Sequence, residues 1–366
     1  MPPTETQAPK TSPRAYVSEG LKNEALQLRE RWKQLQEKKP KLRIRDAAEE
    51  LDVSEAQLLA TGCGETVTRL EGDWPALIAQ LSDLGRVMAL TRNEHAVHER
   101  YGEYRGVESF HGMGQVVGPD IDLRLFYSHW HLGFAVQEQA RGNVRRSLQF
   151  FDLDGAAIHK VYLTEESNLG AFEKLVEAYT SEDQSPYQAV KSLEADSPEL
   201  PDSEIDVKGL REAWAKMEDT HQFFGLLKRF GVSRTQALRL VGTEFAQPLA
   251  KDAPRRVLDA AAEKSLPIMV FVSNAGLYQI HTGEVHTLKE YGEWYNVLDP
   301  DFNLHLRETG VDNAWLVRKP TKDGDVTSVE LYAADQSEIA LFFGKRKPGM
   351  PENETWRALA SSLPQA

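Results

Sequence analysis

Apolar residues first recur at helical spacing. Leu21, Ala25, Leu28, Trp32 and Leu35 step by three and four, one stripe on an otherwise charged helix over 17–38. Two short helical pieces follow at 45–51 and 54–60, with Ser54 placed as an N-cap and Gln57 three residues on. A matching pair comes at 221–230 and 233–241, with Ser233 as the cap. Longer helical patterns fall near 75–83 and 254–264. The period then drops towards two. Segments 86–92, 111–117, 122–127, 133–138, 146–152 and 157–163 are rich in Val, Phe, Tyr and Leu and are punctuated by Gly, Asp and Asn, which predicts antiparallel strands. The second half repeats this at 267–273, 276–281, 302–307, 314–319, 326–333 and 338–344, and each half closes on a helix, near 167–180 and 354–362.

The repetition extends to the residues. Ser147-Leu-Gln-Phe-Phe-Asp-Leu-Asp154 returns as Ser328-Val-Glu-Leu-Tyr-Ala-Ala-Asp335, Leu123-Arg-Leu125 as Leu304-His-Leu306, and Val87-Met-Ala-Leu-Thr-Arg-Asn93 as Ile268-Met-Val-Phe-Val-Ser-Asn274. All three pairs are 181 residues apart (147 to 328, 123 to 304, 87 to 268). A unit this long is a duplicated domain, not a solenoid repeat. Strand runs set apart from helix runs give the α+β class: a tandem duplication of a domain with a large antiparallel sheet flanked by helices. The expected divisions are a disordered tail at 1–15, a first repeat at 16–180, an acidic, Pro-containing linker at 181–207 and a second repeat at 208–366.

Composition narrows the class. Of 366 residues 41% are apolar and 27% charged, as in ordinary globular proteins. A single cysteine, Cys63, rules out an intramolecular disulfide and a multi-cysteine metal site. No run is long enough to span a membrane, and residues 1–13 lack the apolar core of a secretory signal, so a cytoplasmic location is expected. A net charge of −13 opposes wholesale nucleic-acid wrapping, while leaving room for a local basic pocket. Residues 45–60 do resemble a helix-turn-helix, but the would-be recognition helix offers Glu55 and no Lys or Arg.

Three segments carry candidate chemistry. In 221–230, Phe223, Leu226, Leu227 and Phe230 make the apolar stripe, and His221, Gly225 and Lys228 fall on another face. Gly225, one turn after His221, leaves a shallow gap where a flat ligand could lie, with Lys228 to meet an anionic edge. The competing reading is a capping or surface histidine. By the 181 offset the first-half counterpart is Pro40, so the fold does not demand a histidine there. In Asp122-Leu-Arg-Leu-Phe126, alternation puts Arg124 and Phe126 on one side, suited to a flat, partly anionic ligand; an arginine paired with a cross-strand glutamate is the bland alternative. Arg318, Lys319, Lys322, Lys345 and Arg346 cluster at strand ends of the second half, where the first half has Glu138 and Glu165 in place of Lys319 and Arg346. That is what an anion site predicts; a solvated strand end is the alternative. The pairs His95/His98 and His129/His131 lack a carboxylate pattern for a metal.

Thr91-Arg-Asn93 with Ala96-Val-His-Glu99, Asp122–Phe126, Ser147–Asp152 with His159-Lys-Val-Tyr162, His221-Gln-Phe-Phe224 and Arg318–Gly324 together resemble the HemS/ChuS/HmuS/PhuS family of cytoplasmic haem-binding proteins, also called hemin-degrading factors. The resemblance covers nearly the whole chain after the tail. It implies haem b (iron protoporphyrin IX) held between a second-half helix and the sheets. His221 corresponds to the proximal iron ligand, Arg124 to the distal arginine with a catalytic role, and Phe126 to its aromatic neighbour. Lys319, Arg346 and Arg234 correspond to groups that hold propionates or line the pocket. Phe343 falls where relatives carry a tyrosine, and strict alternation from it puts Arg346 on the opposite face unless the chain bends after Gly344. His98 corresponds to a secondary ligand of the first half. The function implied is to receive imported haem and traffic it, degrade it to release iron, or both, as a carrier or as an oxygenase-type enzyme. A haem ABC transporter and a haem oxygenase or other haem acceptor are the implied partners. A helix-turn-helix DNA regulator is the remaining alternative, with nucleic acid the less favoured partner.

Overall fold

A computed structural model describes residues 18–140, 142–192, 198–346 and 349–366. The expected tail at 1–15 lies outside the described residues. The first half contains α1 (Glu19–Lys38), α2 (Ile44–Glu50), α3 (Glu55–Ala60), β1 (Val67–Leu70), α4 (Trp74–Ala79), β2 (Gly85–Arg92), β3 (Ala96–Gly102), β4 (Val107–Phe110), β5 (Met113–Val117), β6 (Asp122–Phe126), β7 (Leu132–Ala140), β8 (Asn143–Phe151), β9 (Ala157–Ser167) and α5 (Leu169–Tyr179). The second contains α6 (Val207–Ala215), α7 (Gln222–Phe230), α8 (Arg234–Leu240), β10 (Ala246–Leu249), α9 (Ala253–Glu263), β11 (Ile268–Asn274), β12 (Leu277–Gly283), β13 (Leu288–Tyr291), β14 (Trp294–Leu298), β15 (Phe302–Arg307), β16 (Asn313–Lys319), β17 (Val326–Tyr332), β18 (Glu338–Gly344) and α10 (Glu354–Ser361). The α+β class and the duplication are as the sequence predicts.

The halves exchange strands. One nine-stranded antiparallel sheet, sheet A, runs β1-β7-β8-β9-β2-β3-β15-β14-β13; the other, sheet B, runs β10-β16-β17-β18-β11-β12-β6-β5-β4. Each half thus lends a three-stranded ribbon to the other half's sheet. The seam in sheet B is β12 against β6, with Tyr278 opposite Arg124 and Leu277 opposite Leu125. The seam in sheet A is β15 against β3. The alternation that predicts the strands drives this packing. Leu123, Leu125 and Leu277 bury together in the first-half core, while Val270, Val272, Leu304 and Leu306 bury in the second. The ribbon strands β4, β13 and β14, and β3 at the seam, lie outside the predicted segments, as do β1 and β10. Polar residues such as His98, Glu99, Lys289 and Asn296 interrupt the seam and ribbon strands, so their apolar period is weak.

The offset of 181 does not reach the N-terminal helices of each half. Ser54 and Ser233, both N-caps whose side chains accept a backbone N–H, are 179 apart, as are the first residues of β1 and β10 (54 to 233, 67 to 246). The first-half counterpart of His221 is therefore Leu42, not Pro40. Leu42 carries no ligand atom either, so the inference survives with a corrected residue. The expected linker at 181–207 is tied down at both ends. The Arg69 guanidinium donates to the carbonyls of Asp183, Ser185 and Tyr187, and Gln236 donates to the Leu200 carbonyl and to Asp202. Among the described residues no helix is long and apolar enough to cross a membrane.

Candidate functional site

Helix α7 docks through Phe223 and Leu226, both buried, each contributing roughly 1.5–3 kcal/mol by leaving water. Phe223 meets Trp214 edge-on at 5.0 Å, and the Lys319 ammonium lies 4.4 Å from its ring centre. The helix ends on Gly231 in the left-handed region, φ 63°, where a side chain would be strained. At its other end stands His221, one residue before the helix. Its side chain is 93% exposed and caps nothing. The backbone N–H and ring Nδ1 of His221 both face Asp219 Oδ1, at 2.9 and 2.7 Å. These two hydrogen bonds, backbone first, hold the Asp219 carboxyl below the usual carboxylate range. A carboxylate only accepts, so Nδ1 carries the proton and Nε2 is the nitrogen left for a ligand. A Cβ added at Gly225 would meet nothing within 4 Å, so the space beside this exposed residue is open.

Register and alternation define one face of sheet B. Arg124 stands opposite Tyr278, Tyr278 opposite Ser273, Phe271 opposite Leu341, Leu341 opposite Glu330, and Glu330 opposite Trp315. Lys319, four positions from Trp315 on β16, shares that side, so α7 and Arg124 lie on the same face although they come from different halves. Phe126, Tyr278, Phe271 and Phe343 form a half-buried aromatic floor with successive ring centres 6.2, 6.3 and 5.0 Å apart. Helices α7 and α8 reach β16, β17 and β18 through Phe223 and Arg234. The strip of β11, β12 and β6 beyond them is about 14 Å wide at ordinary strand spacing. Arg124 edges this strip, 40% exposed, bonded to Asp122 and donating to the Leu123 carbonyl at 3.0 Å.

The expected cations divide. Lys319, 5% exposed, donates to Glu330 at 2.7 Å, and Arg234 bridges Glu330 and Glu338 at 2.9 and 2.8 Å. Burial pushes the Glu330 carboxyl up, but Arg234 and Lys319 outweigh it and hold it far below its ordinary value. Burial also draws the Lys319 ammonium down, against the pull of Glu330. Both cations are already paired with carboxylates inside the protein, which suits the pocket-lining alternative of the expectation better than the propionate-holding one. Lys228 is exposed and Arg346 half-buried, and neither forms an ion pair with the described residues. Strand β18 ends at Gly344 and the Lys345 N–H bonds Pro267, so alternation no longer governs Arg346.

His98 is corrected more sharply. It is 0% exposed between the sheets, its Nδ1 accepting from Gln279 Nε2 at 2.8 Å, so it cannot meet a ligand from the groove. The helix-turn-helix is corrected too. Five of the six residues of α3 are buried, and Glu55 is ion-paired to Arg92 and Lys160. Among the described residues no three His, Cys, Asp or Glu side chains gather as a metal site. Sequence reasoning missed Asp219, Tyr278, Phe271 and Glu330. The Asp-x-His spacing was a usable signal for the first. The others join the face only through cross-half pairing.

Fold and face define a class: a duplicated, strand-exchanged α+β protein whose sheet B carries a half-buried aromatic strip on the face where α7 docks, with an exposed histidine one residue before that helix. Comparison with known proteins takes this further. The chain belongs to the family of the haemin-degrading HemS.ChuX domain, whose profile matches residues 52–179 and 231–363. It is 39% identical over 322 residues to the hemin transport protein HmuS of Yersinia pestis, covering 87% of this chain and 92% of that one. Holo-PhuS, a heme-binding protein from Pseudomonas aeruginosa, superposes with a TM-score of 0.92 at 48% identity, over 93% of this chain and 99% of that one. ChuS, the heme degrading enzyme of Escherichia coli O157:H7, gives 0.86 at 34% identity, over 93% and 99%. Helix α7 lies between the two matched stretches.

Proposed function

We propose that this protein binds haem b in the groove of sheet B, with His221 Nε2 as the axial ligand and Arg124 on the far side of the plate. The observation that carries this reading is an exposed imidazole with Nδ1 occupied and Nε2 open, beside the open gap at Gly225 and on the same face as an aromatic floor and a guanidinium. Haem, when bound, would supply a redox-active iron that an imidazole can ligate. His221 would hold the plate. Phe126, Phe271, Tyr278 and Phe343 would stack against it and exclude water. Arg124 would offer donors to whatever faces it, and Lys228 and Arg346, which form no ion pair among the described residues, would meet the propionates.

The setting is cytoplasmic: the chain receives haem delivered by an ABC transporter and passes it to a haem oxygenase or another acceptor. A second reading, degradation of haem with release of iron, is favoured by the donor at Arg124 and by the likeness to ChuS. A defined tetrapyrrole formed under a physiological reductant with catalase present supports the enzyme; bleaching that catalase abolishes supports the carrier.

Hemin titration followed by absorption spectroscopy tests the site. His221→Ala is expected to weaken binding and shift the Soret band. Arg124→Ala is expected to keep hemin bound but change the pH dependence of the ferric spectrum. An unchanged spectrum and affinity in His221→Ala would remove the axial assignment.

A further inference from the structure

Among the described residues the His221 ring has one hydrogen-bond partner, Asp219, and that contact does more than hold it. We infer that Asp219 is a positioning residue for the axial ligand: it orients the imidazole, fixes its tautomer and strengthens Nε2 as a donor to haem iron. This rests on the assignment of His221 proposed above.

The geometry is local and over-determined. A ring 93% exposed would otherwise turn freely about χ1 and χ2, and ordering it on binding would cost conformational entropy. Asp219 Oδ1 removes that freedom by accepting from the His221 backbone N–H and from Nδ1 at once. Asp219 is itself fixed. Gln222 Oε1 accepts the N–H groups of Glu218 and Asp219 at 2.9 and 3.3 Å. The Glu218 carbonyl accepts the Lys322 N–H at 3.0 Å, which ties the loop to the turn between β16 and β17. The loop is therefore tied to the turn between β16 and β17, and the imidazole is oriented on that loop before any ligand arrives.

A carboxylate on the far nitrogen has two separable effects. Geometrically it leaves Nε2 as the free lone pair. Electronically it places negative charge against Nδ1–H, giving the ring imidazolate character and raising its basicity. A more basic axial nitrogen favours ferric over ferrous iron, so the charge should lower the reduction potential of bound haem. Asparagine in place of Asp219 keeps an acceptor oxygen and loses the charge, so it divides the two effects. The first half has no such device. At the offset of its helices, Pro40 stands for Asp219 and Leu42 for His221.

The test uses full-length protein loaded with hemin, comparing parent, Asp219→Asn, Asp219→Ala, Asp219→Glu and His221→Ala. Asp219→Ala is expected to lower hemin affinity about 10- to 100-fold. Asp219→Asn should retain more of that affinity. Both should raise the haem reduction potential and lower the frequency of the ferrous iron–histidine stretch in resonance Raman spectra, and Asp219→Glu should restore both towards the parent. Circular dichroism and thermal unfolding of the unloaded variants should match the parent, because the pair is solvent-exposed. If His221→Ala alters the Soret band while Asp219→Asn and Asp219→Ala keep the parent's potential and stretching frequency, the inference about Asp219 is overturned and the axial assignment stands. If His221→Ala leaves spectrum and affinity unchanged, both are overturned together.

Discussion

Each half pins a cap-bearing helix to its sheet with a buried ion cluster, and the two clusters have opposite polarity. In the first half the helix supplies the carboxylate, Glu55 on α3, and the sheet supplies Arg92 and Lys160. In the second half the helix supplies the cation, Arg234 on α8, and the sheet supplies Glu330, Glu338 and Lys319. The duplicated fold requires the tie and not its sign. The open faces diverge in the same way. At an offset of 181, His305 stands for Arg124, Val97 for Tyr278, Leu90 for Phe271 and Tyr162 for Phe343. Leu42 stands for His221. Architecture was kept in both copies, while the exposed histidine and most of the aromatic strip belong to the second, and the guanidinium of Arg124 joins them from the first through the strand exchange.

Acid should expose the deepest asymmetry. His98, His159 and His281 are buried between the sheets at positions whose counterparts are Gln279, Ala340 and Arg100. Burial drives His159 and His281 down to about 3, and His98 well below its ordinary value. The unfolded chain binds their protons first, so stability is lost as pH falls from about 6.5 towards 3, by up to about 1.4 kcal/mol per pH unit for each histidine. Urea unfolding midpoints across that range check this; a flat profile would show that the three rings are not held neutral.

Next in size, Glu330→Gln leaves Arg234 and Lys319 buried without their shared counter-charge and should cost roughly 3–5 kcal/mol. Glu55→Gln should cost a similar amount in the other copy. Only Glu330→Gln is expected to weaken hemin binding, because its cluster holds α8 on the face of sheet B that carries the aromatic strip. Equal losses of hemin affinity in the two variants would erase the functional distinction between the halves. The smallest effect sharpens the same contrast. Gly225→Ala should stabilise α7 by up to about 1 kcal/mol, since glycine in a helix interior is unfavourable and the added methyl meets nothing. It should also raise the hemin dissociation constant by intruding on the gap. A gain in stability with unaltered hemin affinity would place the plate elsewhere on the helix.

Much of this was legible in the chain. The period-two segments gave most core strands because one face of each is buried, as at Leu123 and Leu125. Ser54 and Ser233 marked their helices because an N-cap needs a short side-chain acceptor at one position. His221, Gly225 and Arg124 stood out by chemistry. The partners of Lys319 and Arg234 were not legible, because a sequence shows charges without their partners and Glu330 is found only through sheet register. His98 misled for a similar reason: a buried, hydrogen-bonded histidine and an open ligand share one letter.

The sequence by itself determined the duplication, the α+β class and which side chains have the chemistry to grip a flat metal-bearing plate. Those properties follow from local periodicity and residue type, which are written along the chain. Tertiary structure alone decided that Arg124 of the first copy lies opposite Tyr278 on the sheet of the second. That depends on β6 pairing with β12, and the backbone hydrogen bonds of a strand edge are the same for every sequence. The choice of edge is made by distant side chains, Leu123 and Leu125 closing on Leu277, and no local pattern reports a contact formed across about 150 residues of chain.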